Sequence, residues 1–315
     1  MLPDLAAIRA ASVRIAPYVY RTPVMTCAAL DAIVGATLFF KCENLQRIGA
    51  FKARGASNAV FSLPDELAQR GVVTHSSGNH GAALAYAAAR RGIRALVVMP
   101  EAAPRIKQDN VRSFGATIRF CGPTAAAREA ACEEVQRETG ATLIHPFDNV
   151  DVVAGQGTAA LELLEDVPDL DVVMTPIGGG GLLSGTAIAA KALRPAIRVI
   201  GSEPANADDA ARGFRSGRLE PVSTTTTIAD GLRSPLAART FAAIRANVDA
   251  IFVASEHAIV DALRLTLERM KVVIEPSAAV PLASLIEHPA GLTGARIGIV
   301  LSGGNLDLDH PPWQE

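Results

Sequence analysis

The stretch DVVMTPIGGGGLLSG, Asp171 to Gly185, passes from an apolar run through four consecutive glycines into a helix-forming segment. A short β-branched run without polar alternation is the pattern of a strand buried on both faces, as in parallel sheets of α/β proteins. Glycines that follow such a strand and open a helix allow successive N–H groups to converge on one anion, and the helix dipole adds its positive end. The loop PIGGGGLLSG, Pro176 to Gly185, therefore reads as a phosphate cup. A plain strand-to-helix turn is the competing reading, but it seldom needs more than one or two glycines. The dinucleotide fingerprint G-x-G-x-x-G does not fit, because Leu182, Leu183 or Ser184 falls on a required glycine in each register, and the G-K-[ST] of a P-loop is missing. A single compact phosphate is left.

Outward from this stretch the same alternation continues. Apolar runs begin at residues 36 (ATLFFKCE), 71 (GVVTH), 95 (ALVVMP), 116 (ATIRFCG), 141 (ATLIHPF), 171, 197 (IRVIGSEP) and 296 (RIGIVLSGG), separated by Ala-rich helical segments such as GAALAYAAARRG, TAAAREAACEEVQRETG and SEHAIVDALRLTLERMK. This predicts an α/β protein built on open parallel sheets. The length of 315 residues suits two lobes. The tight strand–helix alternation between 70 and 147 marks a small inserted domain, with 1–69 and 148–315 forming a large one. With 49% hydrophobic and 20% charged residues the chain can bury a sizeable aliphatic core, and a net charge of −2 offers no surface for nucleic acid or an anionic membrane. No signal peptide or spanning helix is legible, and four irregularly spaced cysteines fit reduced structural thiols, so a cytoplasmic location is expected.

In open parallel sheets ligands bind beyond the carboxyl ends of the strands, which brings three more segments into play. The first is GAFKARGAS, 49–57. The chain carries 25 arginines and only five lysines, yet position 52 is a lysine flanked by Phe51 and small residues. A guanidinium cannot form the imine that an amine forms with an aldehyde, and apolar neighbours lower an amine's pKa. Lysines are nevertheless mostly solvated charges. Among cofactors that anchor by one phosphate and act through a lysine amine, pyridoxal phosphate leads. The second is HSSGNHG, 75–81, where two hydroxyls, an amide and a helix start suit a carboxylate ligand; a serine N-cap alone would not explain the cluster. The third is VLSGGN, 300–305, which sets Ser302 at a strand end, where a plain turn would also serve. His75, His80 and His145 lack the spacing of a zinc site.

Taken together, KCENLQRIGAFKARGA, SSGNHG, IHPFDNVDVVAGQGTAALE, GGGGLLSG, SEPANADD, TIADGL, IEPSAA and VLSGGN, in this order over almost the whole chain, closely resemble the fold-type II (tryptophan synthase β-like) pyridoxal phosphate enzymes. The nearest branch looks like serine racemase, serine/threonine dehydratase and 3-hydroxyaspartate dehydratase. The resemblance implies two open, twisted, mostly parallel sheets flanked by helices. It implies that Lys52 holds the cofactor as a Schiff base, that Gly178–Gly181 and Leu182 bind its phosphate, that Phe51 lies beside the ring, that Asn79 bonds the ring hydroxyl and that Ser302 meets the pyridine nitrogen. Ser76, Ser77, Asn79 and His80 would receive the substrate, with Ser77 also the second acid/base where the racemase branch places one. Glu203, the carbonyl of Ala207 and Asp209 would ligate Mg²⁺, Mn²⁺ or Ca²⁺, oxygen ligands that suit a hard cation; read alone, that acidic run is a solvated turn.

These parts predict a lyase that removes water from a β-hydroxy amino acid (3-hydroxyaspartate, L-serine or L-threonine), with Lys52 taking the α-proton. Amino-acid racemization is the alternative. A non-catalytic amino-acid binding module would not need Lys52, and a nicotinamide oxidoreductase lacks its fingerprint. Where relatives often read TGSFK this chain has Ile48 and Ala50 after Arg47, and Arg47 is the expected contact for a distal carboxylate, a solvated arginine being the other reading. The partners expected are a small amino-acid substrate and a second copy of the chain, a homodimer.

Overall fold

The computed structural model describes residues 1–76, 78–103, 105–222, 225–289 and 291–314. Ten strands among them form two sheets. β1 (Val24–Met25), β2 (Thr37–Lys41), β7 (Val172–Pro176), β8 (Arg198–Pro204), β9 (Ala250–Ala254) and β10 (Arg296–Val300) make a six-stranded sheet in the order β1-β2-β10-β7-β8-β9. β3 (Val72–His75), β4 (Ala95–Pro100), β5 (Thr117–Cys121) and β6 (Thr142–Leu143) make a four-stranded sheet in the order β5-β4-β3-β6. Every pairing is parallel except β1 with β2. All eight apolar runs are strands; β1 and β9 are two more that the runs do not mark. β5 departs from the doubly buried pattern because it is a sheet edge, with Thr117, Arg119 and Phe120 exposed.

The last strand decides where the site lies. β10 inserts between β2 and β7, with Ile297 opposite both Leu38 and Val172. The three strands run in one direction, so the loops beyond their carboxyl ends gather at one edge: 43–51 after β2, 177–181 after β7 and 301–305 after β10. A bridge between Ala50 and Gly303 and a 3.0 Å bond from the Phe51 N–H to the Ser302 carbonyl join the first and last of them.

Between the sheets the helices Lys52–Ser62, Val150–Asp166 and Gly181–Leu193 approach closely because glycines line the contacts. A Cβ on Gly155 would stand 2.6 Å from the Gly55 Cα, and one on Gly185 would stand 2.4 Å from the Val153 carbonyl. The helix Lys52–Ser62 belongs to both halves. Ala56, Ala59 and Val60 pack with β3 and β4 residues and the helix Asn79–Arg91 in one apolar cluster, while Arg54 is held on the side of the larger sheet. There Arg54 Nε donates to Glu43 (2.7 Å), Arg54 Nη1 to Glu162 (2.7 Å), and Lys41 Nζ to Glu162 (2.7 Å) and to the Thr22 carbonyl (2.7 Å), all of them buried. No helix of the described residues is long and apolar enough to cross a membrane.

Candidate active site

The gathered loops and the amino ends of three helices line a cleft of about 600 Å³ between the sheets. Lys52 is the first residue of its helix, and its Nζ donates to the Pro146 carbonyl at 3.0 Å and lies 5.1 Å from the centre of the Phe51 ring. Burial of the ammonium lowers its pKa to about 8, with the Glu275 carboxylate pulling the other way. Near neutrality the amine is still mostly protonated, but it gives up its proton far more readily than an exposed lysine.

The glycine loop lines the same cleft. Gly180 sits at φ +82°, a conformation that favours glycine, and the first bond of its helix runs from the Ser184 N–H to the Gly180 carbonyl (2.9 Å). The N–H groups ahead of Ser184 are the free donors of a helix start. A Cβ on Gly179 would fall 2.2 Å from the Phe147 ring and one on Gly178 3.0 Å from the Gly231 carbonyl, so backbone alone forms this part of the lining. Leu182 lines the cleft with the glycines. A bare backbone cup and a desolvated lysine in one cleft fit a small phosphorylated aldehyde, and Ser302, 2% exposed, lines the same cleft.

Asn79 opens the helix Asn79–Arg91, and its Nδ2 donates to both oxygens of Glu275 (2.9 and 3.1 Å) while its Oδ1 accepts from Asn305 (2.9 Å). Ser76 Oγ accepts from the Gly78 N–H at 3.2 Å. His80 lines the cleft, but its buried ring turns away: Nε2 meets the Ile144 carbonyl at 3.0 Å, and burial keeps the imidazole neutral by lowering its pKa well below the ordinary value. The main-chain N–H of His80, in the first turn of the helix Asn79–Arg91, is free of an intrahelical partner. Ser77 lies outside the described residues. Arg47 is not brought to the cleft. It is exposed, with its guanidinium stacked 3.9 Å from the centre of the Tyr20 ring; that aromatic contact gives it a place along the chain near Lys52 but pointing elsewhere.

Several lining residues have no role assigned from the sequence, among them Glu275, His145, Lys107 and Arg128. Glu275 is buried, and burial raises its carboxyl pKa to about 7 against the bond from Asn79. It stands at the N-cap of the helix Pro276–Glu287 without capping it; a glutamate where Ser, Thr, Asp or Asn is usual is the signal the sequence held. His145 accepts from the Asp148 N–H at Nδ1 (2.9 Å), its ring 5.2 Å from that of His75, and burial with that second imidazole lowers its pKa to about 4. Lys107 forms an ion pair with Asp230 across the cleft. Arg128 lines the cleft half-buried, its Nε buried and without a hydrogen-bond partner, and no ion pair to it is found among the described residues.

Away from the cleft, Glu203 is the next-to-last residue of β8, and its oxygens accept from the Ala211 (2.8 Å) and Ala210 (3.1 Å) N–H groups. Burial raises its pKa to about 9 and that of Asp209 to about 6. Ala207 is buried in the turn Ala205–Ala207 between them. No group of three His, Cys, Asp or Glu side chains able to hold a metal is found among the described residues.

The sequence pattern of the family described as "Pyridoxal-phosphate dependent enzyme" matches residues 15–303. A protein of Oryza sativa subsp. indica named serine racemase is 50% identical over 97% of this chain and 91% of its own length. The beta-hydroxyaspartate dehydratase of Paracoccus denitrificans is 48% identical over 99% of both. The solved structure of maize serine racemase superposes with a TM-score of 0.96 at 48% identity, covering 98% of this chain and 95% of that one.

Proposed function

The chain belongs to the pyridoxal-phosphate dependent enzymes, and from that premise we propose that it removes water from a β-hydroxy amino acid, with 3-hydroxyaspartate preferred over L-serine and L-threonine. The products are ammonia and a 2-oxo acid. The cofactor, when bound, supplies the electron sink for the pair left by the α-proton. Lys52 Nζ would anchor it and, once displaced by substrate amine, accept that proton. The N–H groups of Gly178–Gly181 and Leu182 would hold its phosphate, with Phe51 along the ring, Asn79 at the ring hydroxyl and Ser302 at the ring nitrogen. The Ser76 hydroxyl, the Asn79 amide and the main-chain N–H of His80 would receive the α-carboxylate. After the β-hydroxyl leaves, the released enamine tautomerizes, takes up one water and gives up ammonia.

Arg128 carries the choice of substrate. Lys107 in the cleft is paired with Asp230, and Arg233 donates to the Thr227 carbonyl (2.7 Å), whereas Arg128 has a buried Nε with no partner. A buried donor left unmade costs free energy that a second carboxylate recovers. The named activity of the Paracoccus relative supports the same assignment. The test is a panel of L-serine, L-threonine and the 3-hydroxyaspartate isomers assayed for ammonia with wild type and Arg128→Met. Loss of one charged hydrogen bond predicts a fall of about 10- to 100-fold in kcat/KM for hydroxyaspartate alone. An equal fall for serine, or no ammonia from hydroxyaspartate, would overturn the assignment.

The racemase relatives favour a second reading, amino-acid racemization. D-serine formed from L-serine faster than pyruvate would establish it. The buried carboxylates of Glu203 and Asp209 have no cationic partner among the ion pairs of the described residues, which supports a divalent cation held by them and the Ala207 carbonyl.

A further inference from the structure

We propose that Lys107 and Asp230 form a clasp that holds the two sheets closed over the cleft. Lys107 lies in the helix Arg105–Ser113, between β4 and β5 of the four-stranded sheet; Asp230 lies in the turn Asp230–Leu232, between β8 and β9 of the six-stranded one. Their side chains meet as an ion pair spanning the cleft that both line. The other cations of the helix are engaged on the helix itself: Arg105 is 3.9 Å from Asp109, and Arg112 donates to Asp109 (3.2 Å) and Gln108 (3.1 Å). Lys107 alone reaches the opposite sheet.

The turn that receives it is not free to follow. The Gly231 N–H donates to Ser277 Oγ at 3.1 Å, and a Cβ on Gly178 would stand 3.0 Å from both the Gly231 carbonyl and the Leu232 Cα. Asp230 is thus fixed to the backbone that covers the glycine cup, and Lys107 ties the small sheet to that cover. The bond from Asn79 to Glu275 also crosses the cleft, but it is at the buried floor. The clasp is at the rim, with side chains 31% and 41% exposed, so it can open without stranding a buried charge.

A pair this exposed shifts an open–closed equilibrium by up to about fivefold. The experiment is acrylamide quenching of the bound cofactor's fluorescence in the holoenzyme. Lys107→Ala and Asp230→Ala should each raise the quenching constant about two- to fivefold at low salt. The difference should shrink in about 1 M NaCl, because salt weakens an exposed ion pair. The exchanged pair Lys107→Asp with Asp230→Lys should return to wild type. Single variants that quench like wild type, or an exchanged pair as accessible as the singles, would overturn the proposal. The readout needs only bound cofactor, so it is independent of which amino acid is the substrate.

Discussion

Lys52 is distinguished by how readily it gives up its charge. An exposed lysine titrates near 10.4, but burial of this one brings it to about 8. Only the neutral amine attacks an aldehyde, so the rate at which the apoprotein captures pyridoxal phosphate should rise with pH and level off with a midpoint near 8. Stopped-flow absorbance measures it. Glu275 is the carboxylate that opposes the shift, so Glu275→Gln should move the midpoint lower still; a midpoint near that of free lysine would contradict the desolvated site. Lys52 was legible because lysine is scarce in this chain and glycine and alanine surround it. The cation proposed for a distal carboxylate was not. Nearness along the chain points to Arg47, whereas the lining of the cleft offers Arg128, which arrives from the helix Ala125–Thr139 of the other lobe.

Among the elements, the strand–glycine–helix unit of β7 carries the most information per residue. Its glycines are required by close approach: Gly179→Ala drives a Cβ into the Phe147 ring at 2.2 Å. Overpacking of this kind costs about 1–3 kcal/mol, and because the displaced atoms line the cup, cofactor affinity should fall with stability. A titration of the variant with pyridoxal phosphate should show a dissociation constant raised about 10-fold or more, as expected for about 1.4 kcal/mol or greater; unchanged affinity would remove these glycines from the phosphate site. The eight apolar runs were readable because central strands of parallel sheets are buried on both faces. β1 escaped because a two-residue strand has no period to detect, and β9 because it is the edge of its sheet, mostly half-buried, in a segment whose helices dominate the pattern. The segment SEHAIVDALRLTLERMK reads as one helix but changes at Thr266–Met270 to a π turn ending at Lys271, φ +61°. The hydrophobic period carries no sign of that change in winding.

For the molecule as a whole, the two sheets share the helix that bears Lys52. One face of that helix contributes Ala56, Ala59 and Val60 to the core of the four-stranded sheet, and another fixes Arg54 between Glu43 and Glu162 beside the six-stranded one. The four charges Lys41, Glu43, Arg54 and Glu162 compensate one another and are 7% exposed or less, so the network tolerates no partial loss. Arg54→Met leaves Glu43 without its guanidinium and Glu162 with Lys41 alone, which should cost about 3–5 kcal/mol in urea unfolding. Because the same helix serves both cores, that loss belongs to neither sheet alone. Far-UV circular dichroism, which follows both sheets, and cofactor release, which follows the cleft, should give one coincident transition in wild type and one coincident, lower transition in the variant. If Arg54→Met separated the two signals, the four-stranded sheet would be an independently stable unit, and the helix of Lys52 would connect the two lobes without coupling their stabilities.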